Sequence, residues 1–203
     1  MAASNPPFYL GRHAIVRTLA ADDIRQLYPL PGVRKVLASY QPWFYFGQLD
    51  LEGVVERQSV LASFDPPLAI EVLVLHRRTL TPLGFMSLAG MDPINGKAEF
   101  SAAFFRARGS RPVLEAIHWA LVECFGRQNM HKLIFHTLPE NRAANVALEA
   151  IGARQEGLLR EELAGRDGKR LDLVRHALLR DDWLKGAARR RLVRLAPLTE
   201  ESA

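Results

Sequence analysis

Three arginines within six residues form the segment whose chemistry is easiest to anticipate. The segment runs Arg106-Ala-Arg-Gly-Ser-Arg111 and is followed by Pro112, a residue typical of the first helical turn. Guanidinium groups bind phosphate oxygens through paired hydrogen bonds, which suits the segment to a phosphorylated ligand. The alternative is a basic turn that faces solvent and holds no ligand.

A carboxylate precedes these arginines by a few residues. Glu99 is a polar member of Lys97-Ala-Glu-Phe-Ser-Ala-Ala-Phe-Phe105, a largely apolar run that predicts a strand. A glutamate held beside a bound amine can accept its proton as a general base. Glu99 is therefore either a candidate base or a residue of an exposed strand face.

Hydrophobic periodicity predicts the elements that position these residues, and their order gives an α/β (α+β) fold class. A meander of three antiparallel strands, with a hairpin turn at Asn95-Gly96, leads to the arginines. A helix, a strand, a second helix and two strands follow. The predicted strands are 68–76, 83–89, 97–105, 132–138, 154–161 and 171–179, and the predicted helices are 112–125, which stops at Gly126, and 141–151.

The two ends of the chain have weaker patterns. Upstream of the meander we expect a strand over 13–19, helices over 21–28, 32–40 and 51–64, and an aromatic loop over 40–50. Downstream, residues 184–203 are basic and then acidic. We expect them to be a frayed helix and tail outside a single domain of residues 1–183, with contact to nucleic acid as the less favoured alternative.

Composition limits the classes of protein. With 203 residues the chain can bury one full core, and its single cysteine, Cys124, excludes an internal disulfide framework. The six histidines lack the spacing of a metal site, so no metal is expected. No signal-peptide pattern or membrane-length apolar run is present, so we expect a cytoplasmic protein without membrane contact. A net charge of +5 favours phosphate-bearing partners in general.

The order of these elements and two stretches of sequence resemble the GNAT (general N-acetyltransferase) superfamily. The first stretch, Asn141 to Arg160, combines an Asn, a helix, Gly152 and a Glu-Gly-Leu-Leu-Arg segment. The second, Ala177–Trp183, resembles the end of the RimJ/RimL-like branch. The resemblance implies a mixed, mostly antiparallel central sheet that is splayed at the cofactor site, with helices on both faces.

The resemblance also implies acetyl-CoA, or another acyl-CoA, as co-substrate. In the family the pantetheine arm pairs with an open strand edge and the pyrophosphate lies on the next helix N-terminus. Where the family's loop has a second small residue this chain has Arg111, which resists a glycine-only conformation and would either block the loop or bind phosphate itself. Asn141 matches a family residue near the pantetheine and also suits a plain N-cap. The cofactor-binding residues implied are Phe104, Phe105, Arg106, Arg108, Gly109, Ser110, Arg111 and Asn141.

For the chemistry, the resemblance implies direct transfer from a thioester to an amine, with Glu99 as the base. Two positions that hold a proton donor in family members are Leu148 and Ala144 here, so the thiolate would leave unaided. The family's acceptor groove implies substrate contacts from Trp43, Tyr45 and Asp172. The aromatic loop that holds the first two is, in the alternative, ordinary core.

Together these features predict an N-acyltransferase that moves acetyl from acetyl-CoA to a primary amine, such as a protein N-terminus, an amino acid or a small amine. One alternative uses a larger acyl-CoA or an acidic acyl carrier protein as donor. Another is a non-catalytic binding module of the same fold. A homodimer is compatible with the resemblance, and nucleic acid is not an expected partner.

Overall fold

An open eight-stranded sheet forms the centre of the computed structural model, which describes residues 7–34, 36, 50–64, 69–165 and 168–199. In chain order the strands are β1 (Tyr9–Leu10), β2 (Ala14–Thr18), β3 (Ala69–His76), β4 (Pro82–Asp92), β5 (Lys97–Phe104), β6 (Lys132–Thr137), β7 (Arg154–Ala164) and β8 (Arg170–Leu179). The helices with described bounds are α1 (Ala21–Leu27), α2 (Leu51–Ala62), α3 (Arg111–Val122), α4 (Arg142–Ala150), α5 (Arg180–Lys185) and α6 (Ala187–Leu195).

The strands lie in the order β1-β2-β3-β4-β5-β6-β8-β7. Neighbouring strands are antiparallel except β5 and β6, which are parallel. A parallel pair needs a crossover connection, and α3 supplies it. The predicted α/β class and the mixed, mostly antiparallel sheet with helices on both faces are confirmed.

Local chemistry explains why β3, β4 and β5 form the predicted meander. Asn95 donates from its backbone N and from Nδ2 to the Asp92 carboxylate, at 3.0 and 2.7 Å, and Gly96 has a φ of 61° that glycine adopts without strain. On β4, a Cβ added to Gly84 would lie 2.3 Å from the carbonyl oxygen of Ala103. Glycine at this position therefore lets the backbones of β4 and β5 approach closely.

Two apolar clusters cover the two faces of the sheet. On one face α3 packs against strand residues that include Met86 and Phe100. On the other face α1 and α2 pack against residues that include Leu73 and Phe85. Because strand side chains alternate between faces, Glu99 lies on the side of α1 and α2, opposite α3.

A buried carboxylate fastens the N-terminal segment to α3. Glu115 has no exposed surface. Its oxygens accept hydrogen bonds from the Tyr9 hydroxyl and from three consecutive backbone N–H groups, those of Arg12, His13 and Ala14, at 2.7–3.0 Å. Burial, and then the charge of Glu115, raises the pKa of Tyr9 to about 12. Neither the two-residue strand β1 nor this anchor follows from the hydrophobic pattern.

The C-terminal segment differs from the expected frayed helix and tail. α6 packs beside α3 with Leu192 buried, and the carbonyl oxygen of Ala196 lies 2.8 Å from Nδ1 of His118. Trp183 of α5 is also buried and meets the His118 ring edge-on. Residues 184–199 are therefore packed rather than frayed, because a single apolar side chain among the arginines of α6 reaches the core.

The predicted helix stop at Gly126 is wrong. At Glu123 the helix passes into a π-helical turn, Glu123–Arg127, which contains Gly126. The backbone N–H of Gln128 donates to the carbonyl oxygen of Glu123 at 3.0 Å, five residues earlier. This wider hydrogen bond keeps the glycine inside the helix instead of after it.

Other expectations fall outside what the structure describes. Most of the helix predicted over 32–40 and nearly all of the aromatic loop over 40–50 lie outside the described residues. No helix within the described ranges is long and apolar enough to cross a membrane.

Candidate functional site

The parallel strands β5 and β6 separate in the middle of the sheet. They pair over residues 97–99 and 132–134, and the described residues do not continue that pairing further. Both strands go on, since β5 stays paired with β4 as far as Phe104 and β6 with β8 as far as Thr137. The predicted splay is therefore confirmed, and it leaves an open edge on β5 with which an extended ligand can pair.

The arginine-containing loop begins where β5 ends. The backbone N–H groups of Phe105 and Arg106 both donate to the carbonyl oxygen of Leu83 on β4, at 3.1 and 3.2 Å. Ala107 and Gly109 then take left-handed backbone conformations, with φ of 52° and 72°. Small residues at these turns let the backbone of the loop approach a ligand closely.

The first turn of α3 follows directly and has the features of an anion site. Ser110 is the N-cap, and Pro112, the second helical residue, has no N–H, so the donors of this turn are those of Arg111 and Val113. The Ser110 hydroxyl is buried and has no hydrogen-bond partner among the described residues. A helix N-terminus beside an unsatisfied hydroxyl fits a phosphate group.

The three arginines of the loop differ in what they do. Nε of Arg108 donates to the carbonyl oxygen of Phe104 at 2.7 Å, which folds this side chain back over the end of β5. Arg106 and Arg111 are exposed. The concern that Arg111 would need a glycine-only conformation is wrong, because it is the first residue of α3 and its φ is not positive. Arg111 therefore occupies the site without backbone strain.

A carboxylate and an imidazole meet beside the gap, on the sheet face opposite α3. Glu99 is the last β5 residue paired with β6, and its Oε1 lies 3.4 Å from Nδ1 of His136. The two side chains share a face because His136 is two residues after Ile134, the pairing partner of Glu99. The Glu99 side chain is 21% exposed and that of His136 is 7% exposed. The carboxylate is thus supported and still accessible, as a general base must be.

The sequence pattern alone does not identify His136 as a functional candidate. Alternation along β6 places His136 on the face of Ile134 and away from Leu133 and Phe135, and that much could be predicted. Its approach to Glu99 depends on the parallel register of two strands that are far apart in sequence. This register is a tertiary property and has no local signal.

Further charged side chains extend from this pair across the sheet. Arg175 on β8 is the pairing partner of His136, and its Nε lies 3.5 Å from the carboxylate of Glu156 on β7. Glu156 also accepts a hydrogen bond from Nζ of Lys132 at 2.6 Å. Both cations are therefore linked to Glu156.

Two asparagines attach α4 to the end of β6, on the far side of the gap from β5. Asn141 is the N-cap of α4, and its Oδ1 accepts a hydrogen bond from the Ala144 N–H at 3.3 Å. One turn later, Asn145 accepts a hydrogen bond from the Thr137 hydroxyl and donates to the carbonyl oxygen of Pro139. The capping role weighed for Asn141 is confirmed, while its contact with a cofactor stays a prediction.

Of the residues predicted to contact the acceptor, Asp172 lies within the described part of the chain and has a structural contact there. Oδ1 of Asp172 accepts a hydrogen bond from the backbone N–H of Glu161 at 2.7 Å, at an irregular pairing between β7 and β8 where Glu161 has a φ of 54°. Asp172 therefore supports the hairpin, and a substrate contact from it stays a prediction. Trp43 and Tyr45 lie outside the described residues, so their roles stay predictions too.

Cys124 takes no part in this site. It is buried, and burial raises the pKa of its thiol to about 12, so it is not a nucleophile at neutral pH. Within the part of the chain that the structure describes, no group of three or more His, Cys, Asp or Glu side chains is placed to hold a metal ion.

The model of one known protein family matches most of the chain. The family is described as "Acetyltransferase (GNAT) domain", and its model matches residues 13–154, from just before β2 to the first residue of β7. No curated protein sequence is a significant match.

Solved structures share the fold. The spermidine N-acetyltransferase of Vibrio cholerae, in complex with CoA and spermine, has a TM-score of 0.69 at 23% identity and covers 85% of this chain and 98% of its own. A candidate acetyltransferase from T. thermophilus has a TM-score of 0.71 at 24% identity and covers 95% of this chain and 97% of its own. At these identities the similarity establishes the fold alone.

Proposed function

The chain belongs to the GNAT acetyltransferase family, and from this premise we propose that it transfers an acetyl group from acetyl-CoA to a primary amine. The observation that carries the proposal is the gap between β5 and β6, which opens beside the loop and the N-terminus of α3. A pantetheine arm needs an open strand edge, and a pyrophosphate needs donors at a helix start. Both lie next to each other in this chain.

Different residues around the gap bind different parts of acetyl-CoA. The edge of β5 up to Phe104 and Phe105 lies along the pantetheine arm, and Asn141 contacts the arm from the other side. The loop residues Arg106, Gly109 and Ser110 and the first turn of α3 hold the pyrophosphate, while Arg108 maintains the end of β5. The Arg111 guanidinium adds a charged hydrogen bond to phosphate in place of the family's small residue.

Acetyl-CoA supplies the acetyl group as an activated thioester. Glu99 takes the proton that an ammonium group must lose before its nitrogen can attack. Leu148 and Ala144, at the positions of the family's proton donors, have no acidic proton to donate. Sulfur therefore leaves as a thiolate and is protonated afterwards. The accessible Glu99 carboxylate on the sheet face opposite α3 supports this assignment.

The acceptor is proposed by class. The RimJ/RimL-like stretches favour a protein N-terminus, an amino acid or a small amine, and the amine named for the Vibrio cholerae structure agrees with that class. Trp43, Tyr45 and Asp172 are the proposed wall of the acceptor groove. The acetyltransferase domain is assigned to residues 1–183, and a cytoplasmic location and a homodimer remain part of the proposal.

Thermal unfolding of the full chain with increasing acetyl-CoA tests the site before any acceptor is known. Ligand at about 100 times its Kd adds about 2.7 kcal/mol of stability. For a chain of this size that raises the unfolding midpoint by roughly 5–10 °C. Dephospho-CoA and pantetheine serve as graded controls. The first keeps the pyrophosphate of CoA, and the second lacks it.

A saturable rise with acetyl-CoA that is lost with pantetheine supports phosphate binding by the loop. Product formation is then measured with a panel of primary amines as acceptors. A rise with long-chain acyl-CoA alone would indicate a larger donor. A well-folded sample without any rise would contradict binding at this gap.

A further inference from the structure

Resting on the proposed function, the geometry beside the gap assigns a role to a second side chain. We propose that His136 is a positioning residue, whose Nδ1–H holds the Glu99 carboxylate in place while that carboxylate takes the proton of the acceptor amine. His136 lies on β6, across the line where the two parallel strands begin to separate. It therefore fixes the base at the mouth of the gap.

The distance and burial of the pair support this role. Nδ1 of His136 lies 3.4 Å from Oε1 of Glu99, a contact that can tighten into a hydrogen bond when substrates bind. The imidazole is 7% exposed, so its ring is held by its surroundings, whereas the carboxylate keeps a solvent-facing side. A rigid donor behind an accessible acceptor restricts the carboxylate to one orientation without covering its reactive oxygen.

The charged groups around His136 lie on β5, β6 and β8. Glu99 faces it from β5 and Arg175 from β8, while Lys132 precedes it on β6. Arg175 and Lys132 are both linked to Glu156 of β7. On the opposite face of β8, burial lowers the pKa of His176, on which the charge of His136 also acts.

The proton balance of the transfer defines what His136 has to do. One proton passes from the acceptor ammonium to Glu99, the nitrogen lone pair attacks the thioester carbon, and the carbon–sulfur bond breaks with its electron pair on sulfur. The second proton on nitrogen protonates the thiolate, and Glu99 returns the first proton to water. Throughout, His136 keeps its donor on the carboxylate.

Substitutions at His136 test whether its side chain orients the carboxylate. For His136→Ala we expect kcat to fall about 10- to 100-fold with little change in the KM for acetyl-CoA, since the base loses its support and the cofactor does not. His136→Asn, whose Nδ2 can donate from nearly the same place, should recover kcat to within about 3-fold of the wild type.

His131→Ala is the matched control, because His131 is exposed and lies before the other end of β6. It should leave kcat unchanged. The proposal is overturned if His136→Ala keeps the wild-type kcat, if its loss appears as a higher KM for acetyl-CoA, or if His136→Asn gives no recovery of kcat.

A readout without catalysis keeps this inference distinct from the proposed function. The imidazole resonances of His136, followed by NMR at constant pH, should shift in Glu99→Gln, because the group that faces Nδ1 changes from a carboxylate to an amide. Unmoved resonances would contradict the pairing even in an active enzyme. Moved resonances in a protein that acetylates no amine would retain the pairing and contradict the proposed function.

Discussion

Two carboxylates on opposite sides of the sheet have opposite surroundings. Glu115 is completely buried in α3 and accepts four hydrogen bonds, three of them from consecutive backbone N–H groups. Glu99 keeps about a fifth of its side chain exposed and faces the imidazole of His136 beside the gap.

The difference lies in how much of each carboxylate the solvent can reach. A carboxylate surrounded by fixed donors stabilises the structure and has no oxygen left for a substrate. A carboxylate that keeps a solvent-facing side can exchange a proton with a bound molecule. The type of residue does not distinguish an anchor from a base, but its surroundings do.

The largest effect should come from removing the anchor. Glu115→Ala leaves the Tyr9 hydroxyl and three backbone N–H groups without their acceptor, so we expect the free energy of unfolding to fall by about 3–5 kcal/mol. Chemical denaturation measures the loss. Glu123→Ala is the matched control, because that side chain has a partly exposed ion pair with Arg127, and its cost should stay below about 1 kcal/mol. Equal costs would contradict the contrast between the two regions.

The reverse pattern is expected at the gap. Glu99→Gln should lower kcat about 100-fold or more, because the amide cannot accept the proton of the amine. The unfolding midpoint should stay within about 2 °C of the wild type, since the Glu99 side chain is partly exposed and an amide of the same size replaces it. A rate that is unchanged across pH would remove Glu99 from the chemistry, and a large drop in the midpoint would make it an anchor like Glu115.

A smaller effect distinguishes two successive turns of a single helix, because Arg111 begins α3 one turn before Glu115. Arg111→Ala should weaken acetyl-CoA binding about 10-fold through loss of a charged hydrogen bond to phosphate, with little change in stability. Isothermal titration measures this change. Arg191→Ala, an exposed arginine of α6, provides the control and should bind as the wild type does. Tighter binding in Arg111→Ala would show instead that the side chain blocks the loop.

The smallest effect concerns pH and the buried side of α3. Burial, together with the charge of Arg189, lowers the pKa of His118, against opposing contributions from the Ala196 carbonyl and Glu115. A lowered pKa in the folded state favours the neutral ring, so this stabilisation is complete above the ordinary value of 6.5 and is lost as pH falls below it.

Unfolding midpoints measured from pH 8 down to pH 5 should therefore decrease less in His118→Asn than in the wild type. The pKa of His176 is lowered as well and contributes in the same direction, so the comparison between variants isolates His118. Identical pH dependence in both proteins would contradict a buried neutral His118.

Local sequence patterns predicted most strands of the sheet but few of the contacts that hold the chain ends and helices against it. The meander was predictable because alternation and the Asn95-Gly96 turn act within a few residues. Strand β1 was not, since two residues are too few to show a period. The π-helical turn kept Gly126 within the helix, and Leu192 docked α6 although arginines dominate its sequence. For Leu192, a tertiary contact outweighed the local sequence preference.

Some residues of the candidate site could likewise be predicted from the sequence, and others could not. Glu99 and the loop at Arg106–Arg111 were predictable from residue type and from the resemblance. His136 was not predictable as a site residue, because its approach to Glu99 depends on the register between β5 and β6. Glu115 was not either, since a glutamate on a helix is usually exposed and its donors come from the far N-terminus.

The open edge of β5 also has a consequence for hydrogen exchange. Along a strand the amides point alternately to either side, so beyond Glu99 every second amide of β5 faces β4 and the others face the gap. Protection against deuterium uptake should therefore alternate between slow and fast from residue to residue in this half of the strand. An extended ligand in the gap would slow the fast set alone, so the loss of alternation would report occupancy at single-residue resolution.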